Sequence, residues 1–240
     1  TVVHAAALKV VPIAEYNPTE CIATNVTGAE NVVKAALRTG VTRVIALSTD
    51  KAVNPINLYG ASKLAAEKIF VAANSLSAGS CAFSVVRYGN VVGSRGSVIP
   101  FFQKLKDEGK ILPITDLKMT RFWITMDQAI DLVMTTIGNM EGREIVIPKI
   151  PSMRVIDLAE AIDQGGTVGR LVVGLRPGEK IHETLISEDE ARQTLEFDNR
   201  FIITPRLISG GIPWTKGSYR SDNNDQWLSV EQLRAILRRV

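Results

Sequence analysis

The chain has 240 residues, with 28 Lys and Arg against 25 Asp and Glu for a formal net charge of +3, and is 45% apolar and 22% charged. Those fractions exclude a disordered or collagen-like chain, and the charge is too small for a nucleic-acid or membrane-surface footprint. Cys21 and Cys81 make neither a disulfide framework nor a zinc-site spacing and suit a reducing, cytoplasmic compartment. No run approaches the ~18 apolar residues of a membrane span, and the opening Thr1-Val2-Val3 has no charged leader.

Thr1 to Ala5 reads as a short buried strand and Val41 to Leu47 as a second, both rich in β-branched residues. Between them, Thr24 to Arg38 sets Val26, Ala29, Val33, Ala36 and Leu37 at helical spacing, and Gly40 stands where a C-cap glycine belongs. A helix from about Tyr59 to Asn74 leads to a third strand, Cys81 to Arg87. This alternation predicts crossover units and a parallel sheet buried on both faces. Further on, Thr125 and Gln128 form a capping box before a helix whose Ile130, Val133, Met134 and Ile137 make one apolar stripe. Ser152 is placed to cap another helix that buries Val155, Leu158, Ala159 and Ile162. Gly and Pro punctuation at 148–151, 176–178 and 210–213 marks loops. The expectation is an α/β fold with a smaller C-terminal lobe over the carboxyl ends of the strands, where open α/β sheets bind ligands.

Ser48-Thr49-Asp50-Lys51 ends a predicted strand, and Tyr59 and Lys63 follow, four apart and so on one helix face. A phenol with a reference pKa near ~10 is a poor base at neutral pH, and an ammonium one turn away favours its ionised form. Tyr-x-x-x-Lys also arises by chance in ordinary helices; the preceding Ser-Thr strand end is what sets this one apart. Asp50-Lys51 fits a solvated loop, but on the same lip as Tyr59 it offers an acid to a leaving hydroxyl and a base to a C–H proton. That is elimination chemistry.

These motifs, with His4-Ala5-Ala6-Ala7, the Thr24-Asn25-Val26-x-Gly28 helix start and Arg87-Tyr88-Gly89-Asn90-Val91, are together similar to the extended short-chain dehydrogenase/reductases that modify nucleotide sugars. Ser48-Thr49-Asp50-Lys51-Ala52 with Asn54-Pro55-Ile56-Asn57-Leu58-Tyr59-Gly60 more narrowly resembles the UDP-N-acetylglucosamine 4,6-dehydratases. So do Gly93-Ser94-Arg95-Gly96-Ser97, Met119-Thr120-Arg121-Phe122-Trp123, Arg176-Pro177-Gly178-Glu179-Lys180 and Asn223-Asn224-Asp225-Gln226-Trp227. The resemblance is to the soluble, 5-inverting type that opens pseudaminic-acid synthesis, because membrane-anchored retaining relatives usually carry Met at the position of Tyr59.

The resemblance implies a Rossmann-like parallel sheet with a smaller mixed α/β lobe. Residues 1–92 would be the C-terminal part of the dinucleotide-binding domain, and 93–240 a nucleotide-sugar lobe with some elements returning to the core. It implies NADP, with NAD as the alternative, as cofactor, UDP-N-acetylglucosamine as substrate and a homo-oligomer, dimer or hexamer. Tyr59 with Lys63 would oxidise C4, Thr49 would hydrogen-bond its oxygen, Lys51 would remove the C5 proton and Asp50 would protonate the departing C6 hydroxyl. Ala5, Lys9, Thr24, Asn25, Tyr59, Lys63 and Val91 would contact the cofactor, and Lys9, Asn90, Thr115, Arg176 and Glu179 the substrate. Arg121 fits either a diphosphate or a lobe carboxylate, while His4 and His182 read as structural, and Trp123, Trp214 and Trp227 as lobe packing. The Gly-x-Gly-x-x-Gly turn of the family is missing from the sequence. On that ground the chain is expected to be an N-terminally truncated enzyme that binds NADP weakly or not at all and has no dehydratase turnover. A 4-epimerase or reductase of the same superfamily, and an inactive remnant, are the alternatives.

Overall fold

The computed structural model of the chain describes residues 1–206 and 208–238. They divide into two compact units, one of Thr1–Tyr88, Ile130–Lys149 and Thr184–Tyr219, the other of Gly89–Ala129, Ile150–Glu183 and Arg220–Val240.

The first unit is built on a seven-stranded sheet. Strands β1 (Val2–His4), β2 (Arg43–Thr49), β3 (Ala82–Tyr88) and Ile145–Pro148 lie side by side and parallel, pairing Val2 with Val44, Ile45 with Ser84 and Val85 with Ile145. Val44, Ile45, Phe83, Val85 and Val86 are wholly buried, as expected for a parallel sheet covered on both faces. The sheet then continues antiparallel through Arg200–Ile203, Thr194–Glu196 and the edge strand Ile212–Pro213. Part of the expected 210–213 loop is therefore a strand, at an edge where proline's missing N–H is tolerated.

The crossovers hold α1 (Val11–Tyr16), α2 (Pro18–Ile22), α3 (Gly28–Arg38) and α4 (Leu58–Leu76). Pro12 and Pro18 sit in the first turns of α1 and α2, which need no proline N–H. The helix expected over 24–38 is interrupted by a π-helical turn, Ala23–Thr27, before α3 begins. Ala29, Val33 and Ala36 are buried as the spacing predicts, and Gly40 has φ +70°.

Thr125 and Gln128 form their capping box, with reciprocal bonds of 3.0 and 3.2 Å, ahead of helix Met126–Asn139. Its apolar stripe differs from the expected one. Ile130 and Met134 are 51% and 61% exposed, whereas Leu132, Val133 and Ile137 pack on Ile45, Val86 and Val146. The helix is apolar on several sides, so periodicity alone does not choose the buried face.

In the second unit, strands Asn90–Val91, Thr120–Ile124 and Ser152–Arg154 form one sheet, and Leu112–Ile114 pairs with Arg170–Val172. Helices Val98–Asp107, Val155–Ile162 and Val230–Leu237 contribute to a core that includes Ile99, Phe102, Trp123, Leu158 and Leu233. Ser152 does not cap a helix. It is a wholly buried strand residue bonded to Asn224 Nδ2 at 2.9 Å, and Arg154 precedes the helix without a side-chain cap. Trp123 is core, but Trp227 is 45% exposed and Trp214 belongs to the first unit, edge-on to Phe201 at 4.8 Å. Among the described residues no helix is long and apolar enough to cross a membrane.

Candidate active site

At the end of β2 the chain passes from extended Thr49 into a 3-10 turn, Asp50–Ala52, and the Lys51 N–H returns to Thr49 Oγ1 at 3.4 Å. The turn folds three predicted residues onto one oxygen. Thr49 Oγ1 donates to Asp50 Oδ1 at 2.9 Å, and Lys51 Nζ donates to the same oxygen at 3.0 Å. The Asp50 side chain is wholly buried, whereas Lys51 keeps 26% of its side chain exposed, so the amine has access to a ligand.

Tyr59 stands in the first turn of α4, packed with Ala14 and Cys21. Its pKa is pushed up to about 12, chiefly by burial, with Lys51 pulling it down and Asp50 pushing it further up. This corrects the sequence expectation that Lys63 does the lowering. Lys63 Nζ donates instead to the Leu47 carbonyl at 2.7 Å, and the cation that acts on the phenol is Lys51. Four residues along a helix put Tyr59 and Lys63 on one face, but where the flexible lysine tip settles is decided by the strand carbonyl beneath it.

Gly60 lets α4 approach this turn. A Cβ there would lie 2.2 Å from the Lys51 carbonyl oxygen, a backbone atom that cannot swing aside. Gly60→Ala is therefore expected to cost about 1–3 kcal/mol, read as a lower melting temperature. It should also reduce turnover more than that loss explains, because the displaced group carries Lys51. Unchanged turnover with a lowered melting temperature would contradict this.

The predicted cofactor contacts separate into two kinds. Ala5 and Lys9 are exposed in the segment that leaves the carboxyl end of β1, and Thr24 is half-buried with its hydroxyl on Glu20 at 2.9 Å. Asn25 is buried and its amide is already engaged. It accepts the Leu8 N–H at 2.8 Å and donates to the Leu8 carbonyl at 3.0 Å and to Ser62 Oγ at 2.9 Å. Asn25 thus clamps the 5–9 segment rather than presenting its amide to a ligand, aimed inward by the π-helical turn, a device frequent at functional sites. His4 is buried against Phe70, and its pKa is lowered by burial and by Lys63.

In the second unit, Asn90 and Val91 are half-buried and pair with Trp123 and Ile124. The Gly93–Ser97 loop, with Gly93 and Gly96 at φ +71° and +72°, opens helix Val98–Asp107. Thr115 follows strand Leu112–Ile114 and is half-buried. Arg176 and Glu179 come together: the Arg176 N–H lies 3.4 Å from Glu179 Oε2 and its guanidinium 3.9 Å from Oε1. Arg121 is buried and latches the backbone, donating to the carbonyls of Thr120, Lys180 and Ile181, with Glu183 at 3.8 Å. His182 Nδ1 pairs with Thr120 Oγ1 at 2.8 Å, a structural contact.

A family model described as polysaccharide biosynthesis protein matches residues 1–205. The chain belongs to this family. It is 51% identical to the UDP-N-acetylglucosamine 4,6-dehydratase (inverting) of Campylobacter jejuni subsp. jejuni serotype O:2, over 98% of this chain and 75% of that protein. It is 45% identical to the UDP-glucose 4-epimerase of Rickettsia conorii, over 79% of this chain and 56% of that one. The X-ray structure of Pen from Bacillus thuringiensis matches with TM-score 0.90 at 39% identity, covering 99% of this chain and 74% of that one.

In this polysaccharide biosynthesis family member, sequence reasoning assigned no role to Arg87 or its partners. Arg87 is wholly buried at the end of β3 and forks onto Glu67 of α4 at 3.0 and 2.7 Å. It also bonds Glu190 at 3.1 and 2.8 Å and the Leu185 carbonyl at 2.8 Å. Ser48, the residue before Thr49, donates to Glu67. The available signals were an Arg closing a buried strand, a Glu one turn past Lys63, and the Ser187–Glu190 capping box. None of them reveals the others.

Proposed function

We propose that the chain dehydrates UDP-N-acetylglucosamine to a UDP-4-keto-6-deoxy-hexosamine with inversion at C5, as a hydro-lyase that oxidises C4 transiently. The observation that carries this reading is the bonded set Thr49–Asp50–Lys51 with Lys51 and Asp50 both acting on the buried Tyr59 phenol, a base for an alcohol beside an acid/base pair. A 4-epimerase or reductase needs the tyrosine but has no use for the pair. The inverting dehydratase at 51% identity supports the same choice.

Tyr59 takes the proton of the C4 hydroxyl while Thr49 holds that oxygen and the Lys51 charge favours the phenolate; the charge on buried Lys63 is left for the cofactor. When bound, NADP, with NAD as the alternative, supplies the hydride acceptor at C4 and the hydride donor at C6. Exposed Ala5 offers flat apolar contact and Lys9 a cation beside the carboxyl end of β1, a donor set that fits a nicotinamide nucleotide. Thr24 adds to that contact, and Asn25 holds the segment that presents Ala5 and Lys9. In the second unit Asn90, Thr115, Arg176 and Glu179 take the substrate, with Arg176 suited to the diphosphate.

Elimination needs an amine and a carboxylic acid together. One proton moving from Lys51 Nζ to Asp50 Oδ1 along their 3.0 Å bond creates both. Lys51 then takes the C5 proton, Asp50 gives its proton to the departing hydroxyl as water, and the ion pair is restored. Reprotonation of C5 from the opposite face inverts it. A cytoplasmic homo-oligomer supplying pseudaminic-acid synthesis completes the reading.

Incubating the full-length protein with cofactor and UDP-N-acetylglucosamine in deuterated water tests it. A 4-keto-6-deoxy product with deuterium at C5 is expected. A C4 epimer would establish the epimerase instead, and unchanged substrate with bound cofactor an inactive form.

A further inference from the structure

Three buried charged groups lie behind the residues given roles above. Arg87 has five N–H donors, and all are engaged: Nε on Glu67, Nη1 on Leu185 O and Glu190, Nη2 on Glu67 and Glu190. The Arg87 and Glu67 side chains are 0% and 1% exposed, and Glu190 is 19% exposed. One guanidinium against two carboxylates leaves the cluster with one excess negative charge. A buried network of this kind is weak as a stability device, since apolar residues of the same volume often serve as well. Its position is more informative.

Glu67 continues the Tyr59–Lys63 row by one more turn of α4, and its Oε1 accepts the hydroxyl of Ser48, immediately before Thr49-Asp50-Lys51. It is thus the point where the row on α4 and the end of β2 are tied together. Lys63 is buried, donates to Leu47 O, and supplies the positive charge that the cluster lacks. Arg87 and Lys63 against Glu67 and Glu190 make a neutral set.

We propose that Glu67, locked in place by Arg87 and Glu190, is a positioning residue that sets a fixed carboxylate one helical turn from the buried Lys63 and holds the Ser48–Thr49 strand end against α4. Burial works against the charge on Lys63 and Glu67 works for it. His4 of β1 feels the Lys63 charge, while Asp50 and Lys51 of the turn and Arg87 of β3 lie on elements packed against α4, and Glu15 accepts the Leu58 N–H at the helix start. The catalytic consequence rests on the reading proposed above, but the electrostatic one does not.

The test follows the Lys63 Nζ signal by nitrogen-15 NMR against pH, with the signal assigned by its loss in Lys63→Arg. In Glu67→Gln the midpoint should fall by about one pH unit or more, the scale on which a neighbouring charge acts. Glu67→Asp should restore most of the shift. A folded Glu67→Gln with an unmoved midpoint overturns the proposal. Should Glu67→Gln not fold, Glu67→Asp decides by itself: its carboxylate keeps the charge, so its Lys63 midpoint should stay near the wild type's, and one lower by a full pH unit is equally fatal. Turnover of full-length Glu67→Gln should lose its high-pH limb at lower pH than the wild type, with kcat falling and KM little changed. A uniform loss at all pH values would mean that the network is merely structural. If the titrations move as expected while the wild type performs no dehydration, the functional reading fails and the network stands.

Discussion

Tyr59→Phe is expected to lower dehydratase turnover by about 10²–10⁴-fold, the range for loss of a positioned general base, while leaving the protein folded. The ring's apolar contacts with Ala14 and Cys21 survive the change, and Thr49 keeps Asp50 as a partner. A single buried hydroxyl contributes about 1 kcal/mol, so the melting temperature should move by only about 2–4 °C for a chain of this size. The large rate effect follows from where the phenol sits. Burial drives its pKa to about 12, and the Lys51 charge is the main influence that opposes it. A water molecule entering in place of the hydroxyl would have no comparable means of ionising. If Tyr59→Phe keeps more than a tenth of wild-type turnover, another group takes the C4 proton.

That the cation acting on Tyr59 is Lys51 and not Lys63 marks the boundary of what sequence spacing can tell. The apolar, β-branched runs at Val41–Leu47 and Cys81–Arg87 dictate buried strands almost alone, because few other structures hide them, and each lies within two residues of its observed place. The Tyr59–Lys63 helix was equally plain, with Asn57 accepting the Gly60 N–H at its start. Side-chain destinations are a different matter. Lys63 and Lys51 are both within reach of Tyr59 in sequence, and a carbonyl on β2 captures the first while a buried carboxylate aims the second. The inward turn of Asn25 depends on one π-helical turn that no periodicity announces. Arg87 finds its carboxylates 20 residues before and 103 residues after itself, a pairing that exists only once the sheet is assembled. The antiparallel return at 194–213 escaped for the same reason: three short strands, two of them ending near Gly or Pro, read locally as loop.

Lys51→Ala should abolish the appearance of deuterium at C5 and with it the 4-keto-6-deoxy product, again by about 10²–10⁴-fold. The variant is more disruptive than Tyr59→Phe because Asp50 is wholly buried and loses the cation 3.0 Å away. Breaking a buried pair from one side costs about 3–5 kcal/mol when the remaining charge stays uncompensated. Asp50 has an alternative, which is to take up a proton, and Thr49 remains within 2.9 Å to bond it in either form. Stability of Lys51→Ala should therefore depend on pH with a definite sign. Uptake of that proton is favoured at low pH, so the deficit against wild type should shrink as pH falls and grow as it rises. Lys51→Met, which keeps the stem's packing without the amine, should show the same loss of exchange with less loss of stability. C4 oxidation, followed through nicotinamide absorbance, should persist in both variants, slowed because Lys51 no longer favours the Tyr59 phenolate. Should C5 exchange survive in either folded variant, the base is some other residue, and Lys51 serves the phenol alone.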